Sequence, residues 1–197
     1  MLTNTWSTGF MLCLTYLPKF LLGLVVNLSA YIVVPIALLF CNPQDTNLPK
    51  WASWYDEVDY GINGDPYWKG PEHADGKQNT YWWRLKWLLR NNSTTFASKV
   101  LGFNNTNFNN FVFVGDTETS DQPIFHEGTI VAEVSTTDGN NGKMFYGIKQ
   151  ISDTNYCFRM YIGYKLMSAV HNQIDELGNA KPIMFVYHFS IRPINKA

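Results

Sequence analysis

The sequence predicts an α+β protein with an N-terminal transmembrane helix, short aromatic-rich helices and then an antiparallel meander sheet of four to six strands. Three observations lead to this prediction. Residues 20–41 form an uncharged apolar run, residues 81–91 combine tryptophans with basic side chains, and residues beyond 104 alternate short apolar runs with turn residues. Runs of these lengths and periods are typical of a membrane helix, an amphipathic helix and paired strands, respectively.

The composition limits the classes of partner. Charged residues make up 16 % of the chain, below the roughly 25 % usual in soluble domains, and the net charge is −1. Nucleic-acid binding normally needs a clustered basic surface, so no nucleic-acid partner is expected. Cys13, Cys41 and Cys157 are odd in number and have no C-x-x-C spacing, which argues against a disulfide framework and favours a reducing compartment.

The first 41 residues predict a membrane anchor. A helix over residues 20–41 would reach about 33 Å, close to the roughly 30 Å of a hydrocarbon core. Residues 1–19 are apolar too, and they are expected to lie in the interface or to enter the bilayer. The alternatives are a buried helix of a soluble protein and a signal peptide, which fits less well because the n-region has no basic side chain and the apolar run is too long. The free cysteines and the basic aromatic helix favour a cytoplasmic larger domain.

Residues 42–78 predict a linker with aromatic and acidic turns. Trp51, Trp54 and Tyr55 have helical i, i+3, i+4 spacing, so a short helix there would present one aromatic face at headgroup level. The acidic part matches a calcium-binding loop only in part, because Gly70 stands where the bidentate glutamate belongs. No metal or other cofactor is expected.

Residues 79–103 predict an amphipathic aromatic-basic helix, begun by a cap at Asn79 or Thr80. Three interpretations stay open: a core helix with outward basic side chains, an interfacial helix on anionic lipid, and a base-stacking surface, which the near-neutral charge disfavours. The residues expected at the membrane interface are Trp51, Trp54, Tyr55, Trp82, Trp83, Arg84, Lys86, Trp87 and Arg90.

Residues 104–197 predict the antiparallel β domain. A hairpin loop is expected at residues 138–142, and residues 167–182 should form a loop or a short helical turn. Side chains of Phe158, Met160 and Ile162 should share one face of the sheet, with Arg159 and Tyr161 on the other. The predicted strands are Phe111–Val114, Gly128–Ser135, Lys143–Ile151, Tyr156–Leu166 and Pro182–Ile191.

Several sequence blocks in fixed order carry a resemblance to a known group of proteins. They are LPKWASWY, the NGD turn, WRLKWLLRNN and FRMYIGYKL, between about residues 48 and 166. The chain resembles an uncharacterised family of small tailed-bacteriophage proteins, from which it departs in having NGD for DGD and Asn-Asn for Asn-Pro. The resemblance implies a phage origin and a bacterial host, and it implies no reaction.

No pattern predicts a catalytic site. His73, His126, His171 and His188 lack metal-binding spacings, and no nucleophile elbow or phosphate loop occurs. His126 with Glu127, and Asp56 with Asp59, are acid–base candidates that more often serve as turn residues.

The leading hypothesis is a non-enzymatic phage accessory protein, anchored in the host inner membrane and contacting a host or phage protein. A virion structural or ejection component is the alternative, and a small hydrolase-like enzyme is a further one. The sequence is compatible with a homo-oligomer.

Overall fold

The computed structural model describes residues 5–65, 79–104, 108–121, 123–137, 139–166 and 182–194. The chain divides into two compact units, each with its own core. The sheet unit comprises residues 1–18 and 102–197, and the helical unit comprises residues 19–101.

The order of elements confirms the α+β class. The helices are α1 Thr5–Thr15, α2 Leu17–Leu38, a 3₁₀ helix Lys50–Tyr55, α3 Tyr81–Arg90 and α4 Thr94–Lys99. The strands are β1 Phe103–Asn104, β2 Phe108–Gly115, β3 Gly128–Thr136, β4 Asn141–Gln150, β5 Tyr156–Tyr164, β6 Pro182–Ile183 and β7 Phe185–Pro193. The loop predicted for residues 167–182 lies almost entirely outside the described residues.

Five strands form one antiparallel sheet in the order β2-β3-β4-β5-β7, and β1 pairs with β6 in a two-stranded sheet. The predicted antiparallel sheet is therefore confirmed. The strand predicted for Pro182–Ile191 is instead two strands, because Met184 separates β6 from β7. Its carbonyl accepts a hydrogen bond from the Lys165 backbone N–H.

Helix α1 covers one face of the sheet. Leu12 of α1 is buried with Phe145, Met160 and Ile162, so the predicted apolar face of β5 is confirmed. Gly9 permits this close approach, because a Cβ there would lie 2.6 Å from Met160 Cε. Residues 1–19 were expected at the membrane interface or in the bilayer. One side of α1 instead packs on the apolar face of the sheet and removes it from solvent.

The helical unit has a core of small and aromatic residues. Ala30, Val34 and Ala37 of α2 are fully buried in a cluster that includes Trp87 and Leu88 of α3. Small side chains let the elements approach α2 closely, which makes the packing sensitive to added volume.

The single helix predicted for residues 79–103 is two helices. The Thr80 hydroxyl caps α3 by accepting a hydrogen bond from the Trp83 backbone N–H at 3.4 Å. Ser93 has φ 57°, a left-handed conformation that cannot continue a helix, so α4 begins afresh at Thr94.

Candidate membrane-binding surface

The outward side of α2 is apolar and exposed. Only five of the 22 residues of α2 are buried, and Lys19 is its single charged residue. By length and composition this helix could cross a membrane. We call the outward stripe the α2 surface; its members, each between 48 % and 73 % exposed, are Leu21, Val25, Leu28, Ile32, Ile36 and Leu39. Contiguous exposed apolar side chains of this extent mark an interaction surface.

The opposite side of α2 is held by hydrogen bonds along its length. The Lys19 ammonium donates to the Leu101 carbonyl at 2.8 Å, and the Asn92 side-chain amide donates to the Asn27 carbonyl at 3.4 Å. Near the C-terminal end, the Tyr81 hydroxyl donates to the Pro35 carbonyl at 3.3 Å. Residues of the helical unit therefore contact α2 near its start, at its middle and near its C-terminal end.

Exposed tryptophans stand beside α2. Trp51 is 60 % exposed and its ring centroid lies 6.2 Å from that of Phe40, just beyond the end of α2. Trp54 and Trp82 are also more than half exposed. Each adjoins a tyrosine that bonds α2, namely Tyr55 and Tyr81. The assignment of these three exposed tryptophans to a membrane interface stays a prediction.

Three predicted interface residues are placed elsewhere. Trp83, Arg84 and Trp87 are buried, so their assignment to the membrane interface is wrong. The indole N–H groups of Trp83 and Trp87 donate to the carbonyls of Asn63 and Gly61, both at 3.0 Å. This side of α3 therefore packs in the core of the helical unit, which was the first of the three interpretations. On the same helix Lys86 and Arg90 are exposed.

Arg84 holds the loop that follows α2. Its guanidinium donates to the carbonyls of Asn42, Pro43 and Asp45 at 2.8 to 2.9 Å, and twice to the Asn63 side-chain oxygen. Burial lowers the pKa of this guanidinium. No local pattern predicts these partners, because they lie 21 to 42 residues away along the chain.

A polar cluster that sequence analysis missed lies on the sheet face opposite α1. The buried Asp121 carboxylate lies 3.1 Å from Arg159 Nη1 and 3.0 Å from Arg192 Nη1. Tyr146 donates to the same carboxylate at 3.4 Å. His188 Nε2 lies 3.1 Å from Arg159 Nη2, and burial with the two nearby guanidinium groups lowers the pKa of His188. A neutral imidazole can then accept a hydrogen bond from Arg159.

The two acid–base pairs that the sequence suggested make local contacts within their own units. His126 Nε2 lies 2.8 Å from an Asp116 carboxylate oxygen at an exposed position, and Glu127 accepts from the Gln150 backbone N–H. Asp56 is buried and accepts from the Leu48 backbone N–H at 2.9 Å, whereas Asp59 is exposed. Burial raises the pKa of Asp56 to about 6.

Metal-ligating residues do not cluster in the described part of the chain: no three His, Cys, Asp or Glu side chains there could hold an ion together. His73 and His171 lie outside the described residues.

The fold and this surface define an α+β protein with one exposed apolar helix of membrane-spanning length. The chain belongs to a family of unknown function, DUF7338, whose profile matches residues 9–196. No curated protein and no solved structure is significantly similar to it.

Proposed function

We propose that this protein is a non-enzymatic accessory protein, attached to a bacterial inner membrane by α2 and acting there through contacts with a second protein. The exposed α2 surface is the observation that carries the proposal. Transferring one large aliphatic side chain from water is worth roughly 1.5–3 kcal/mol. The six half-exposed side chains of the surface together supply on the order of 5–10 kcal/mol, which lipid can recover.

The charges of the helical unit support attachment to an anionic leaflet. In the described part of this unit Lys50, Lys86, Arg90 and Lys99 are exposed, and Asp59 is the exposed carboxylate, whereas Asp56 and Glu57 are buried. Basic residues near a membrane are each worth about 1 kcal/mol on the anionic cytoplasmic leaflet. This favours a cytoplasmic location for the helical unit, and the resemblance to phage proteins supports a phage setting.

The sheet unit supports a protein partner. Its two edge strands carry exposed apolar side chains: Val112 and Val114 on β2, and Phe189 and Ile191 on β7. An unpaired edge with apolar side chains is a template for pairing with another chain. A non-enzymatic role is supported by the polar cluster, where Asp121 and its two arginines bind one another.

Fractionation of bacterial cells that express the full chain tests the attachment. We expect the wild type in the membrane pellet after a carbonate wash. A triple variant, Val25→Ser, Leu28→Ser and Ile32→Ser, should move to the soluble fraction, because it alters the α2 surface and leaves the buried stripe intact. The matched control is Val112→Ser, Val114→Ser and Ile191→Ser on the sheet edges, which should stay in the pellet.

Circular dichroism of both variants checks that each retains its fold. A wild type that is monodisperse in buffer without detergent would overturn the proposal, as would a folded α2 variant that stays in the washed pellet.

A further inference from the structure

We propose that α2 lies in the plane of the membrane interface, with the α2 surface in one leaflet, and does not cross the bilayer. This inference rests on the proposed membrane attachment and specifies its geometry.

The first argument is the extent of the contacts along α2. Lys19 and Pro35, which mark the two ends of the bonded stretch, are 16 residues apart and so about 24 Å apart on a helix. Their partners Leu101 and Tyr81, with Tyr55 between them, belong to the rest of the helical unit. A bilayer crossed by α2 in this fold would have to contain those elements as well.

The second argument is the cost of immersing those elements. The 3₁₀ helix, α3 and α4 expose Lys50, Lys86, Arg90 and Lys99. A charged side chain at the bilayer centre costs about 2.5–3.5 kcal/mol even on the mildest scale. The loop of residues 42–49 would also bring irregular backbone towards lipid, where such backbone is tolerated only when it is buried in protein or lines a water-filled cavity. An in-plane α2 keeps all of these groups in water.

The third argument is the shape of the α2 surface. Its members recur at spacings of four, three, four, four and three residues, which keeps them on one side of a helix from Leu21 to Leu39. The buried stripe Val26, Ala30, Val34 and Ala37 lies on the other side. Apolar residues exposed along one side of α2, with protein packed along the other, allow that one side to face a single leaflet over the whole length of the helix.

The fourth argument is the position of the exposed tryptophans. Trp54 adjoins Tyr55, which bonds Ser29, and Trp82 adjoins Tyr81, which bonds Pro35. Tryptophan prefers the headgroup level. The tyrosine neighbours of Trp54 and Trp82 contact α2 at its middle and near its end. An in-plane helix would bring both tryptophans to similar depths near the headgroups, whereas a spanning helix would place them at different depths.

Depth-dependent fluorescence quenching tests the orientation. The full chain, with Cys13, Cys41 and Cys157 replaced by alanine, receives a single cysteine at Leu21, Leu28 or Leu39 and an environment-sensitive NBD label. The labelled proteins bind vesicles of phosphatidylcholine and phosphatidylglycerol that carry a nitroxide at a shallow or a deep acyl position. Asp59→Cys, at an exposed position, is the matched control on the same unit.

An in-plane helix buries its apolar side about 5–10 Å into the headgroup boundary, so shallow quenching should exceed deep quenching about twofold at all three positions. The Asp59 label should stay in water and escape quenching. A spanning helix gives a different result: the Leu28 label is quenched best by the deep nitroxide, and external dithionite reduces only one end label in sealed vesicles.

Vesicle flotation of the same samples separates the two proposals. Protein that floats with a deep Leu28 label overturns the in-plane orientation and leaves membrane attachment standing. Protein that does not float, with no label quenched, overturns membrane attachment and the orientation together.

Discussion

The hydroxyl oxygens of Ser29 and Tyr55 lie 2.8 Å apart near the middle of α2. The Ser29 hydroxyl donates its own hydrogen to the Val26 carbonyl at 2.8 Å, so Tyr55 is the donor in the pair. This polar residue in an apolar helix therefore has both a donor and an acceptor partner inside the protein. Ser29 therefore lies on the side of α2 that faces the 3₁₀ helix. The next residue, Ala30, is fully buried.

Ala30→Leu should destabilise the helical unit by about 1–3 kcal/mol, because Ala30 is fully buried and added volume forces its neighbours apart. Urea unfolding in mild detergent, followed by tryptophan fluorescence, measures the change, since Trp87 lies in the same cluster. Ile32→Leu on the exposed α2 surface is the control and should change little. An unaltered midpoint for Ala30→Leu would contradict the packing.

Arg84→Lys should lower the free energy of unfolding by about 2–4 kcal/mol, because an ammonium cannot reach all the oxygens that the guanidinium binds, and a buried cation then loses hydrogen-bond partners. Thermal and urea unfolding measure the loss. Arg90→Lys, exposed on the same helix, should stay within about 0.5 kcal/mol. Equal effects of the two substitutions would show that the Arg84 hydrogen bonds are not important for stability.

Asp121→Asn should destabilise the sheet unit by about 2–4 kcal/mol, because Arg159 and Arg192 lose a buried carboxylate partner. Glu133→Gln is the control: its pair with Lys143 is half exposed, and it should cost less than about 1 kcal/mol. Urea unfolding of both variants gives the comparison. The prediction fails if the two losses are the same.

Because Asp56 is buried, we expect the free energy of unfolding to fall as the pH rises from about 4 to about 6. Its pKa in the folded protein is raised to about 6, chiefly by burial, above its ordinary value of 3.8. Between these two values the folded state binds more protons than the unfolded state, so deprotonation favours unfolding. The nearby Glu57, whose pKa is also raised by burial, acts in the same direction.

Asp56→Asn keeps an acceptor for Leu48 and removes the titration, so the slope of unfolding free energy against pH should become shallower in this window. Asn47→Ala, at an exposed position next to Leu48, removes no titrating group and is the control, which should leave the slope unchanged. Urea titrations at several pH values measure the slope. A slope that Asp56→Asn does not alter would contradict the assignment.

Local patterns predicted most of the sheet. Alternation along β5 placed Phe158, Met160 and Ile162 on one face, and turn residues at 138–142 marked the β3–β4 hairpin. Both are short-range properties, since side chains alternate at each residue of a strand and the turn fixes the pairing of its neighbours. The break at Ser93 was missed, because a left-handed serine has no distinct signature in the sequence.

The sides of α3 could not be predicted in the same way. Aromatic and basic residues are interleaved along Tyr81–Arg90, so no clean apolar side is defined by spacing alone. The partners that bury Trp83, Arg84 and Trp87 come from residues 42–63. Similarly, Asp121 pairs with Arg159 and Arg192 across 38 and 71 residues.

The sequence by itself determined the α+β class, the approximate positions of β2 to β5 and one long apolar helix, because these follow from periodicity and length. Only the tertiary structure decided which side of that helix is covered by protein and which tryptophans remain exposed. Burial depends on neighbours that are distant in the chain. Because α2 is apolar on all sides, its composition does not indicate which side is covered by protein.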